Sequence, residues 1–118
     1  MVVGIVGLGL MGGSLGLALQ NTKLVSKIVG FDHNLSHCEE ALKLGLVHDI
    51  VSFAEIKTCD MIFLAIPVGG IIKALQELQN IPTNTTIVDM GSTKAEIVES
   101  VPENIRANFI AAHPMTGT

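Results

Sequence analysis

Residues 2–6 read Val-Val-Gly-Ile-Val, and the next six read Gly7-Leu8-Gly9-Leu10-Met11-Gly12. An apolar run that breaks onto glycines spaced G-x-G-x-x-G constrains this chain more than any other feature. It asks for a strand, then a turn with bare backbone, then a helix. The first glycine serves the tight turn, the second lets a ligand approach the backbone, and the third lets helix and strand pack closely. Asp32 follows Gly12 by twenty residues, at the end of a second strand-like run, Lys27–Phe31. Together these parts specify a dinucleotide-binding unit, with pyrophosphate at the helix N-terminus and ribose hydroxyls on the carboxylate.

The rest of the chain alternates in the same way, as a βαβ sheet requires. Leu15, Ala18 and Leu19 recur at helical spacing after the glycine loop. Leu35, Cys38, Ala41 and Leu42 form a second helical face, with Asn34 or a Ser36–Glu39 capping box at its start and Gly45 as its C-cap. Residues 46–58 fit neither period, apart from a short strand expected at Asp49–Ser52. Met61–Ile66 reads as a central strand stopped by Pro67, which suits the first turn of the following helix. In that helix Val68, Ile71, Ile72, Leu75 and Leu78 make one apolar stripe. A strand at Thr85–Val88, a helix opened by the Thr93–Glu96 capping box and a strand at Asn108–Ala112 complete the pattern. The fold class expected is therefore α/β, a Rossmann-type doubly wound, mostly parallel sheet with helices on both faces, in one domain over residues 1–118. The sequence halts inside a loop after its last strand, which reads as a fragment of a longer enzyme.

Composition supports this and removes several alternatives. Hydrophobic residues make up 48% of the chain and charged residues 15%, as suits a sheet buried on both faces. The net charge is −4, with no Trp or Tyr and scattered Lys and Arg, which argues against a nucleic-acid surface. Met1–Leu19 carries no charge, like a signal peptide or membrane span. It also holds six glycines and lacks a basic start, so no membrane association is expected. Cys38 and Cys59 have neither metal-ligand spacing nor a disulfide framework, and a cytoplasmic, reduced setting is expected. No pair among the four histidines has metal spacing either, so no metal is expected.

Asp32 also bears on cofactor choice. A 2′-phosphate would bring like charges together, and two unit charges ~4 Å apart at an effective dielectric of ~20 repel by roughly 4 kcal/mol. NAD is favoured over NADP. Three later loops reach the same edge of the sheet. Ala65-Ile66-Pro67-Val68 should border the nicotinamide end of the cofactor, although a strand stop with a helix-starting proline explains it equally. In Asp89-Met90-Gly91-Ser92-Thr93-Lys94, Thr93 is explained by its cap, whereas Ser92 either points a hydroxyl into the crevice or is a second local cap. His113, held extended by Pro114, suits the proton acceptor of an alcohol oxidation, with a hydrogen-bonded loop histidine as the alternative. His33, His37 and His48 read as ordinary loop and helix-start residues.

With these motifs assembled, the chain resembles the N-terminal domain of the prephenate dehydrogenase family. The resemblance rests on the glycine loop continuing into Gly13-Ser14-Leu15, on Ala65-Ile66-Pro67-Val68, on Asp89-Met90-Gly91-Ser92-Thr93-Lys94 and on His113-Pro114-Met115-Thr116-Gly117-Thr118. The last two, as D-x-G-S-x-K followed by H-P-x-x-G-T, are the specific part. The resemblance implies NAD-dependent oxidative decarboxylation of prephenate to 4-hydroxyphenylpyruvate, in tyrosine biosynthesis. It implies that His113 accepts the substrate's hydroxyl proton and that Ser92 hydrogen-bonds the same hydroxyl. For the cofactor it implies Gly7, Gly9, Leu10, Met11 and Gly12 at the pyrophosphate and Asp32 at the ribose. Ala65, Ile66, Pro67 and Gly91 would then line the remainder of the dinucleotide. A helical domain for substrate and homodimer formation is expected beyond Thr118.

Three other readings use the same residues. Arogenate dehydrogenase shares the motifs and differs in substrate. The hydroxyisobutyrate and phosphogluconate dehydrogenases share the G-L-G-x-M-G opening, but would not be expected to carry H-P-x-x-G-T here. A non-catalytic, redox-sensing NAD module would need the loop and Asp32 but neither Ser92 nor His113.

Overall fold

The computed structural model describes residues 1–79, 81–90 and 108–111. Gly91, Ser92, His113 and the helix expected from Thr93 lie outside them. The described residues form β1 (Val2–Val6), α1 (Leu10–Leu19), β2 (Lys27–Phe31), α2 (Leu35–Lys43), β3 (Asp49–Ile50), α3 (Phe53–Ile56), β4 (Met61–Leu64), α4 (Val68–Glu77), β5 (Thr86–Asp89) and β6 (Phe109–Ala111). Among them the sheet runs β3-β2-β1-β4-β5-β6, and every pairing is parallel. That is the order of a dinucleotide-binding doubly wound sheet. The chain winds outward one way from β1 to β3, then crosses back to lay β4 on the other side of β1.

Alternation along the strands separates two cores. Val3 and Ile5 of β1 join Ile28 of β2, Cys38 and Ala41 of α2, and Val47. Val6 and Val29 face the opposite way, into a core with Ile62 and Leu64 of β4, Ile87 of β5, Ile71 and Leu75 of α4 and its C-cap Leu78. The charge-free stretch Met1–Leu19 is thus a buried strand, a turn and a helix. No helix among the described residues is long and apolar enough to cross a membrane.

Local chemistry fixes the element ends. Asn34, not the Ser36–Glu39 box, caps α2, its Oδ1 accepting the Ser36 and His37 N–H groups at 2.9 and 3.4 Å. The helix ends in a Schellman turn. The Leu46 N–H reaches the Ala41 carbonyl and the Gly45 N–H the Leu42 carbonyl, with Gly45 at φ +70°. The expected apolar face of α2 is only half covered: Cys38 and Ala41 are buried, whereas Leu35 is 74% exposed and Leu42 45%.

Residues 46–58 hold a structure the periodicity did not announce. The strand is only Asp49–Ile50, and Ser52 instead caps the one-turn helix α3 by accepting the Glu55 N–H. The Ile50 N–H donates to its neighbour's Oδ1, on Asp49, at 2.9 Å. β4 stops at Leu64, two residues short of the expected strand, and Pro67 is the N-cap of α4 rather than its first residue. Beyond β5, Asn108 ties the start of β6 to the loop before β5, donating to the carbonyls of Pro82, Thr83 and Thr85 at 3.0, 3.3 and 2.6 Å.

Candidate functional site

The crossover leaves a crevice at the carboxyl ends of β1 and β4, the place where open α/β sheets take ligands. Three predicted loops meet there. The Gly7 N–H donates to the Phe31 carbonyl at 2.8 Å, binding the glycine loop to the end of β2, and the Ala65 N–H donates to the Val6 carbonyl at 2.8 Å. Gly7 has φ +98°, and a Cβ there would stand 2.4 Å from the Ala65 carbonyl oxygen. A Cβ on Gly12 would stand 1.8 Å from the Gly7 carbonyl oxygen. Those two glycines are demanded by the protein's own packing. Gly9 is different. A Cβ there meets nothing nearer than the His37 Cε1 at 3.9 Å, so packing does not demand a glycine at this position.

Gly9 is also the N-cap of α1 and has no side chain to accept from the first-turn N–H groups. Helix α4 likewise starts at Pro67 without a side-chain cap, whereas α2 and α3 close their own ends with Asn34 and Ser52. The donors and positive end of α1 are therefore available to an anion. No acidic residue lies in that first turn to compete.

Asp32 sits just beyond β2 with its side chain 14% exposed. Its Oδ2 accepts the Leu8 N–H at 2.7 Å and the His37 Nδ1–H at 3.0 Å, and its Oδ1 accepts the Asn34 N–H at 2.8 Å. Burial pushes this carboxyl up, but the Asn34 and Leu8 N–H groups and His37 outweigh it, and the net displacement is downward. The group is thus ionised at neutral pH. A carboxylate offers about four acceptor positions, so one remains on Oδ1 for an incoming hydroxyl.

A cleft of about 360 Å³ opens beside Asp32, lined by Gly7, Phe31, Phe53, Ile66 and Pro67, with Lys73 and Glu77 of α4. Phe31 and Phe53 pack edge to face with centroids 5.5 Å apart, so two aromatic rings stand at this cleft. The unpredicted helix α3 is what brings Phe53 here. Ile66 and Pro67, expected near the nicotinamide, share this cleft with Asp32. A second cleft, also about 360 Å³, lies between α1 and α2 on the other side of the glycine loop, with Gly9, Ser14, His37 and Glu40 in its wall.

Besides Phe53, the sequence pattern did not announce His37. Its only sequence signal was position: in the first turn of a helix that starts just after a ribose-type Asp, its side chain can turn back onto that Asp. His33 instead packs edge-on against Phe31, and His48 accepts the Ile28 N–H through Nδ1 at 2.9 Å, a structural role at the sheet edge. Leu10 and Met11 form the first turn of α1. Gly91, Ser92 and His113 lie outside the described residues, but the strands that lead to them are described. Their register sets Asp89 opposite Ala111, so the chain leaves β5 and β6 at one level of the sheet.

Residues 15–118 match the family described as prephenate dehydrogenase, nucleotide-binding domain. The match starts after the glycine loop, which therefore stands on its own spacing. The chain is 33% identical over 118 residues to the prephenate dehydrogenase of Bacillus subtilis strain 168, covering 95% of this chain and 32% of that protein. It superposes on a crystal structure of prephenate dehydrogenase from A. aeolicus in complex with hydroxyphenyl propionate and NAD+. That superposition has a TM-score of 0.89 and 30% identity, over 100% of this chain and 43% of the other. A crystal structure of Synechocystis arogenate dehydrogenase superposes with a TM-score of 0.79 and 29% identity, over 97% and 41%. The chain spans about a third of the length of the curated relatives it matches.

Proposed function

Because the chain belongs to the prephenate dehydrogenase nucleotide-binding-domain family, we propose that it holds NAD for the oxidative decarboxylation of prephenate to 4-hydroxyphenylpyruvate. One observation carries the cofactor half of this reading. An ionised carboxylate at the end of β2 is hydrogen-bonded to the glycine loop itself, through Leu8 N–H, and keeps an acceptor position free. In this reading Asp32 takes a ribose hydroxyl and the aromatic cleft of Phe31, Phe53 and Ile66 takes the adenine. The open backbone at Gly9 and the uncapped start of α1 take the pyrophosphate. A 2′-phosphate would meet Asp32, which favours NAD over NADP.

Bound NAD would supply the hydride acceptor. The chain's own residues handle the proton. His113 accepts the proton of the substrate hydroxyl, and Ser92 hydrogen-bonds that hydroxyl and orients the histidine. Loss of carbon dioxide then aromatises the ring and draws the reaction forward. The common level at which the chain leaves β5 and β6 supports bringing these two residues to one side of the crevice.

Arogenate is the second reading for the substrate, favoured by the similarity to the Synechocystis enzyme. A turnover assay of the full-length gene product with prephenate and arogenate, each with NAD and NADP, tests both. Faster turnover of prephenate with NAD is expected. Preference for arogenate would move the substrate assignment and leave the cofactor site intact. Binding of NAD with no turnover of either substrate would favour the redox-sensing module instead.

A further inference from the structure

The pair formed by His37 and Asp32 goes beyond what a ribose contact requires. Asp32 is already held by two backbone N–H groups, yet a third donor, the His37 Nδ1–H, reaches the same Oδ2 that accepts from Leu8. An ionised carboxylate only accepts, so in this contact Nδ1 carries the proton. The imidazole stands between Asp32 and Gly9. Its Nδ1 is 3.0 Å from the carboxylate, and its Cε1 is the nearest atom to the space a Gly9 side chain would fill. It is 45% exposed and lines the α1–α2 cleft, on the opposite side of the loop from the aromatic cleft.

We propose that His37 is a specificity-determining residue of the nucleotide site, refusing a 2′-phosphate when neutral and admitting it when protonated. This rests on the reading of Asp32 as the ribose contact. With His37 neutral, a phosphate arriving beside Asp32 meets an uncompensated negative charge. With His37 protonated, a positive charge 3.0 Å from that carboxylate cancels most of the field. Histidine can carry or lose this charge, so one residue sets both the selectivity and its pH dependence. The charged and titratable groups around it are few. Asp32 and His33 come from the end of β2, Glu40 lies one turn on along α2, and α1 presents the uncharged Ser14 and Leu17.

The test is calorimetric titration of the chain with NAD and with NADP at about pH 8 and about pH 5.5. It compares the native protein with His37→Asn, which keeps a donor toward Asp32 without a charge, and His37→Arg, which is charged throughout. The 2′-phosphate itself gains a proton near pH 6, and this contributes equally in all three. In the native chain the NAD-over-NADP ratio should fall with acidification by about three- to tenfold more than in His37→Asn. His37→Arg should show the low ratio at both pH values. If the native and His37→Asn ratios moved together, His37 would be a structural partner of Asp32 and the proposal would be overturned. Should the native chain bind both cofactors equally at about pH 8, the ribose reading of Asp32 itself would fail, a distinct result.

Discussion

The ribose contact proposed for Asp32 needs an acceptor held in place, and the N–H groups of Leu8, Asn34 and His37 hold this carboxylate. Replacing it with serine removes the charge a 2′-phosphate would meet. Asp32→Ser should therefore narrow the NAD–NADP difference by on the order of 1–3 kcal/mol, read as the ratio of dissociation constants. The same group contributes to acid stability. Its folded-state pKa lies below the ordinary 3.8, so its contribution is fully present above that value and is lost as pH falls through the folded one. Melting curves should thus show an acid limb starting below about pH 4 that is shallower in Asp32→Asn. His113 belongs to the same scale. In the full-length enzyme His113→Asn should lower kcat by ~10²–10⁴-fold while leaving NAD affinity nearly unchanged, and should remove the loss of rate on the acid side. The place of Asp32 beside the glycine loop was legible in the sequence because its distance from that loop is set by one strand–helix–strand unit. His37 was not, because a side chain's choice between solvent and a nearby carboxylate leaves no mark in spacing.

The first βα element separates two uses of glycine that the motif alone runs together. Gly12→Ala forces a Cβ to 1.8 Å from the Gly7 carbonyl oxygen and should cost at least about 1–3 kcal/mol in stability, visible as a lowered Tm. Gly9→Ala finds open space, so its Tm should stay close to the native value. Its NAD affinity should nevertheless drop at least tenfold if the pyrophosphate lies against that backbone. A fall in Tm without loss of affinity for Gly9→Ala would reverse the assignment. Strong periodicity made β1, β2, β4 and α4 readable nearly to their ends. Between Leu46 and Thr58 each element is a turn or less, shorter than any period can register, and only the Ser52 cap marked α3. Phe53, and with it part of the aromatic cleft, stayed hidden for that reason.

Across the whole molecule, the two cores on opposite faces of the sheet decide which apolar stripes matter. Leu75 of α4 is fully buried against β4 and β5, and Leu75→Ala should cost about 2–5 kcal/mol. Leu35 of α2 belongs to an equally regular stripe in the sequence but is 74% exposed, and Leu35→Ala should change stability by less than about 0.5 kcal/mol. Urea titrations of the two variants separate these outcomes. Periodicity reports that a helix has an apolar side, while coverage of that side depends on where the sheet stops. Among the described residues the sheet stops at β3, and the shape of that margin affects how copies of the molecule meet. A long, flat margin with free amides would recruit strands from other chains and seed fibrils or precipitate. β3 offers only two residues, and the aspartate beside Ile50 already occupies that residue's amide. This margin is thus poorly shaped for strand-to-strand growth, and crowding should not join copies through β3.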